Sequence, residues 1–180
     1  MKIATSFLLI LILAVASTRP LLAESLVLKD THVSVYFSPD GGGQAAIVAE
    51  INKAQQSILV QAYSFTAEPI AKALVEAHKR GVKVRVILDK SQKSERYTSA
   101  TFLANSGIPT FIDAAHAIAH NKVMVLDGKT VITGSYNFTK AAEEKNAENL
   151  LIVRSSELAR IYASNWETHF KHSTRYDARY

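Results

Sequence analysis

The stretch 120–137, HNKVMVLDGKTVITGSYN, constrains this chain more than any other. A strand-like run from Lys122 to Leu126 meets the dipeptide Asp127-Gly128, and a β-branched run from Thr130 to Thr133 follows at once. Two such runs around Asp-Gly predict a β-hairpin. With Asp127 and Gly128 as the two turn residues, Leu126 pairs with Lys129, Lys122 with Thr133, and His120 with Ser135. That register puts His120, Lys122, Ser135 and Asn137 on one face at the open end. Asp127 is excluded from the group, because five residues at about 3.3 Å each place it about 16 Å from Lys122. Its expected part is to hold the turn or a neighbouring backbone.

The flanks predict an α/β chain. Strands are expected over 32–37, 57–65, 82–88, 111–112 and 150–153, with helices over 44–55, from Thr66 as cap to about Arg80, near 97–105, and over 156–170. A short helix capped by Thr139 should follow the hairpin. Strand, helix and strand between 57 and 88 form a β-α-β unit, hence two parallel strands joined by a right-handed crossover, with both faces covered. The expected fold is a single domain with a mixed β-sheet flanked by helices on both faces, parallel early and antiparallel at the hairpin. The glycine triplet Gly41-Gly42-Gly43 lacks the spacing of a phosphate loop and is read as a turn leading into a helix. Tyr63, Ser64 and Phe65, at a strand end, line either a cleft or the core.

An imidazole, an ammonium, a hydroxyl and an amide on one face suit phosphodiester cleavage. In-line displacement needs a nucleophile, a proton for the leaving oxygen, and positive charge around the equatorial oxygens. His120 can attack and Lys122 can supply charge. Ser135 and Asn137 add neutral hydrogen-bond donors, and no metal is required.

The spacing H-x-K, four residues, D, six residues, G-S-x-N resembles the phospholipase D superfamily motif in full, and the chain is most similar to its short, single-motif bacterial endonucleases. The resemblance implies catalytic parts for His120, Lys122, Ser135 and Asn137, structural support from Asp127 and Gly134, and a ping-pong reaction through a covalent phosphohistidine without cofactor or metal. It also matches Glu148 to a glutamate that orients the catalytic imidazole. Glu143 and Glu144 are read as solvated helix residues.

Attack by one imidazole and proton donation by another require two histidines, and the motif occurs once. The expected solution is a homodimer with a composite active site, each chain lending one His120. His116 is the intramolecular rival, about 13 Å away if the strand is extended, and is otherwise a loop residue near the entrance. The pair His116 and His120 lacks the glutamate of H-E-x-x-H and flanks a loop, so no zinc site is expected of it. His32, His78, His169 and His172 have no companions at useful spacing and are read as surface or packing residues.

Lys2, the apolar run from Phe7 to Ala16, and small residues suited to cleavage after Ala16 or after Ala23 form a secretory signal peptide, with an uncleaved anchor as the alternative. The domains are then 1–23, signal peptide, and 24–180, phosphodiesterase, placing the mature protein in the periplasm or outside the cell without stable membrane association. Removing Lys2 and Arg19 lowers the net charge from +5 to +3, a mild surplus that permits a polyanion but does not demand one. With no cysteine, disulfides and thiolate metal sites are excluded.

Two substrates fit the chemistry. Lys79, Arg80, Lys83, Arg85, Lys90, Lys93 and Arg96 could line a groove for nucleic acid, and no segment looks built to read a base sequence, so the expected activity is a sequence-non-specific endonuclease on DNA or RNA. The alternatives are a phospholipase D or phosphatidyl transferase acting on phospholipid, and a non-catalytic nucleic-acid-binding module.

Overall fold

The structure, a computed structural model, describes residues 23–95 and 98–178. The signal-peptide reading, apart from Ala23, lies outside the described residues, as do Arg96 and Tyr97. Among the described residues no helix is long and apolar enough to cross a membrane.

In chain order the elements are β1 (Val33–Phe37), α1 (Gly43–Lys53), β2 (Ser57–Ala62), α2 (Glu68–Lys79), β3 (Lys83–Asp89), a 3-10 turn (Lys90–Lys93), α3 (Ala100–Asn105), β4 (Thr110–Asp113), β5 (Lys122–Leu126), β6 (Thr130–Gly134), α4 (Lys140–Glu144), β7 (Asn149–Arg154), α5 (Ser156–Phe170) and β8 (Thr174–Arg175). The strands form one sheet in the order β1-β7-β6-β5-β2-β3-β4-β8. β2, β3 and β4 run parallel; β5 lies antiparallel to β2, and β6, β7 and β1 continue antiparallel. This is the mixed sheet expected from the sequence, with helices on both faces.

Alternation along the strands sorts the core into two layers. Ile58, Val60, Val84, Val86, Met124 and Ile132 pack against Ile47 and Ile51 of α1, Ile70 and Leu74 of α2, and Leu103 of α3. On the other face Leu59, Ile87, Val123, Val125 and Val131 meet Ala159 and Trp166 of α5. The Trp166 indole N–H donates to the Val60 carbonyl (2.9 Å), so the helix is pinned as well as packed.

Three local expectations are corrected. Thr66 does not cap α2; its N–H and that of Ala67 go to the Phe138 carbonyl (3.0 and 2.9 Å), and this cross-tie moves the helix start to Glu68. Glu143 is not merely solvated. Its carboxylate accepts from the Gly42 and Gln44 N–H groups (3.1 and 2.9 Å) and the Tyr136 hydroxyl (2.8 Å), so the chain itself fills the helix N-terminus behind the glycine triplet. The hairpin register is shifted by one. Asp127 (φ 52°) and Gly128 (φ 61°) do form a two-residue turn, closed by the Lys129 N–H on the Leu126 carbonyl (2.9 Å). The ladder nevertheless pairs Leu126 with Thr130 and Val123 with Thr133, leaving Lys129 as a bulge.

Candidate active site

The two ends of the hairpin are held differently. At the turn, the Asp127 carboxylate accepts N–H groups from Gln55 (3.0 Å), Gln56 (2.8 Å) and Ser57 (3.0 Å), and the Asp127 N–H donates to the Ser57 carbonyl (2.8 Å). Burial would raise the pKa of this carboxyl, but the three backbone donors outweigh it and hold the group below its ordinary range.

The open end lies beside the C-terminal ends of β2 and β3, where Ala62 pairs with Lys122. The loop 114–121 is fastened there: the Ala119 N–H donates to Asp89 Oδ2 (2.7 Å), the Tyr63 N–H to the Asn121 carbonyl (2.8 Å), and Lys90 Nζ to the His116 carbonyl (3.1 Å). His120 is exposed, and its ring rests on that of Tyr63 with centroids 4.5 Å apart. Tyr63 therefore belongs to the site, whereas Phe65 is fully buried against Phe138.

Lys122 opens β5 and is 7 % exposed. Its Nζ donates to the His120 carbonyl (2.9 Å) and lies 5.2 Å from the Tyr63 ring centroid. Burial pushes the ammonium pKa down, and the negative charge of Glu148 opposes that. A cation held this way is poorly solvated and available to an incoming anion.

β6 ends at Gly134, where a Cβ would stand 2.2 Å from the Asn149 carbonyl oxygen, so only glycine fits. Beyond it the N–H groups of Ser135 and Tyr136 both point to that same oxygen (3.1 and 3.3 Å). This second irregularity lets Ser135 reach Glu148 despite the shifted register: its Oγ donates to Glu148 Oε2 (2.6 Å) and accepts from the Asn149 N–H (3.1 Å). Glu148 Oε1 takes Asn146 Nδ2 (3.0 Å). Within one chain the Glu148 carboxylate thus serves Ser135 and Asn146, with its charge felt at Lys122, rather than the His120 imidazole. Asn137 Oδ1 is buried without a hydrogen-bond partner.

His116 is turned elsewhere. Its Nδ1 lies 3.0 Å from Asp113 Oδ2, and the same oxygen meets His169 Nδ1 (2.7 Å) and His172 Nε2 (3.3 Å). Burial would raise the Asp113 carboxyl pKa, but the hydrogen bonds from His169, His116 and His172 hold it well below the carboxylate range. The isolation assigned to His169 and His172 is therefore corrected. The signal was two pairs at i, i+3, D-A-A-H at 113–116 and H-F-K-H at 169–172, which the fold brings together.

The basic groove is also corrected. Lys83 sits at the opposite end of β3 from Asp89, Lys79 pairs with Glu76 (2.8 Å), Arg80 donates to the Ile51 and Asn52 carbonyls (3.2 Å each), and Arg85 pairs with Glu167 (2.6 Å) over the Trp166 ring. Only Lys90 and Lys93, just beyond β3, share the site's end among the described members of that set.

A mixed sheet whose central hairpin presents an imidazole, a buried ammonium and a bulged Gly-Ser at one end of the strands is the framework of a phosphodiesterase. A family model described as "Cardiolipin synthase, PLD-like domain" matches residues 47–171. The chain is 44% identical over 139 residues to the phospholipase D of Rickettsia conorii, covering 77% of this chain and 70% of that one. It is 32% identical over 115 residues to the mitochondrial cardiolipin hydrolase of Xenopus tropicalis, covering 64% and 55%. The crystal structure of the phospholipase D family member Nuc from Salmonella typhimurium superposes with a TM-score of 0.79 at 40% identity, covering 82% of this chain and 99% of that one. The chain belongs to the phospholipase D superfamily, and it is a hydrolase of phosphodiesters.

Proposed function

We propose that the chain is a sequence-non-specific endonuclease that cleaves DNA or RNA as a homodimer, through a phosphohistidine on His120 and without a catalytic metal. The observation that carries the substrate reading is openness. His120 and Ser135 are exposed at the strand ends in the middle of the sheet, with Lys122 beneath them and Lys90 and Lys93 exposed at the same end. A polymer can lie across this open end of the sheet, whereas an acyl chain needs an apolar wall. The apolar cleft of about 500 Å³ lined by Leu26, Leu158, Ile161 and Tyr162 is on α5 and contains none of the motif residues.

In the proposed reaction an imidazole nitrogen of His120 attacks phosphorus, and the bond from phosphorus to the leaving oxygen breaks. The partner subunit's His120 gives that oxygen a proton and then takes one from the water that cleaves the phosphorus–nitrogen bond. Lys122 and the Asn137 amide hold the equatorial oxygens, and the Glu148–Ser135–Asn146 chain fixes the strand ends around them. The engagement of His116 by Asp113 supports the dimer, because it occupies the imidazole nearest to His120 in sequence. Export to the periplasm or medium, inferred from residues 1–23, fits a degradative enzyme kept from the cell's own nucleic acid.

The second reading is hydrolysis of phospholipid, favoured by the names of the Rickettsia and Xenopus relatives and by Ile118, 58% exposed two residues before His120. The protein incubated with plasmid DNA, phosphatidylcholine vesicles and cardiolipin vesicles in excess EDTA separates these readings. Nicking and linearisation of DNA with intact lipid is expected. Lipid hydrolysis with intact DNA overturns the substrate, and DNA binding without cleavage of either leaves a binding module.

A further inference from the structure

Two pairs of side chains, remote from each other in sequence, converge beside the loop that carries His120. Asp113 ends β4, His116 follows in the loop 114–121, His169 lies in the last turn of α5, and His172 stands just beyond it. One ligand-type atom from each, three imidazole nitrogens and a carboxylate oxygen, lie within 4.8 Å of one another. The ring centroids are 4.8 Å apart for His116 and His169, 5.2 Å for His116 and His172, and 5.4 Å for His169 and His172.

Three imidazole nitrogens thus converge on one fully buried carboxylate. Oδ1 takes the Ala115 N–H (3.1 Å) and also lies 3.1 Å from His116 Nδ1, and Oδ2 faces all three rings, so the four lone pairs of the carboxylate can accept from Ala115 and from three neutral imidazoles. The carboxylate and the three rings can instead each give one lone pair to a single cation. Around zinc, with bonds of about 2.0–2.2 Å, tetrahedral ligand atoms stand about 3.3–3.6 Å apart. The three contacts to Asp113, at 2.7 to 3.3 Å, are already near that edge. The widest separation must close by roughly 1.3 Å, which small rotations of the partly exposed His116 and His172 rings can supply.

We propose that Asp113, His116, His169 and His172 bind one divalent transition-metal ion of the zinc class, which ties the loop bearing His120 to the end of α5. Three imidazoles and one carboxylate suit zinc and its neighbours rather than magnesium or calcium, which take oxygen ligands. Four protein ligands leave no open position, so the ion is structural. It takes no part in the phosphoryl steps.

The test uses protein expressed from the full sequence without an affinity tag, stripped with chelator and titrated with Zn²⁺, with Co²⁺ as a spectroscopic probe. The expected result is one equivalent per chain, tetrahedral Co²⁺ absorption bands, and a melting temperature raised by roughly 5–10 °C at a hundredfold excess of free metal over Kd. His172→Ala and His116→Ala, both at partly exposed positions, should each weaken binding about 10- to 100-fold with an unchanged circular dichroism spectrum. Mg²⁺ should produce none of these changes. Binding below about a tenth of an equivalent, or binding that both variants leave intact, overturns the proposal. Metal content and melting temperature do not depend on which phosphodiester is cleaved, so this inference and the nuclease reading fail separately.

Discussion

The two ends of one hairpin show how a single stretch can be scaffold and chemistry at once. At the turn, Asp127 has three backbone donors and the chain is closed on itself. At the open end His120 is exposed and Lys122 is a buried cation with a single hydrogen bond, to the His120 carbonyl. Satisfied polar groups stabilise, while underused ones stand ready for a ligand. Changes at the open end should therefore cost rate, and changes at the turn should cost stability.

The largest expected effect is at His120. His120→Asn should lower phosphodiester cleavage by about 10⁴-fold or more, with a melting temperature within about 1 °C of the parent. Lys122→Met should lower kcat/KM by about 10²- to 10³-fold. Because burial disfavours its charge, this variant should be as stable as the parent or more so in urea titration. A loss of stability that matched the loss of rate would erase the contrast between the two ends.

At the turn the pattern reverses. Asp127→Ala strands three N–H groups and should cost about 2 kcal/mol of stability in urea titration, with activity per folded molecule unchanged. The smallest effect tests scaffold electrostatics away from both ends. The Glu50 carboxyl is lowered from about 4.5 to about 2, chiefly by hydrogen bonds from Arg154, with Lys53 adding to them against burial. A depressed carboxyl stabilises the fold above its ordinary pKa and loses that contribution as pH falls toward 2. Glu50→Gln should therefore cost about 1–2 kcal/mol near pH 7, and the gap from the parent should close between about pH 4.5 and 2.

Much of this was legible in the residues. Periodicity located the strands of the parallel unit and α5, and Asp127-Gly128 located the turn, because each is a local rule acting over a few residues. The register was missed because the bulge at Lys129 depends on docking the turn against β2, a contact some 70 residues away in sequence. The second bulge, on the Asn149 carbonyl, was equally non-local. Thr66 had the chemistry of a cap, but the Phe138 carbonyl claimed its N–H. The Asp113 cluster escaped because its two pairs are innocuous alone and meet only when α5 packs across the sheet. Strand β8, two residues long, carries no pattern to read.

The central claim is that the His120 imidazole becomes bonded to phosphorus during turnover. Protein mixed with substrate and quenched within milliseconds under conditions that preserve phosphoramidates can be digested and its peptides weighed. The account predicts a phosphoryl adduct on the peptide containing His120, formed in EDTA and absent from His120→Asn. Full turnover with no such adduct at any quench time, or an adduct on another residue, would contradict it.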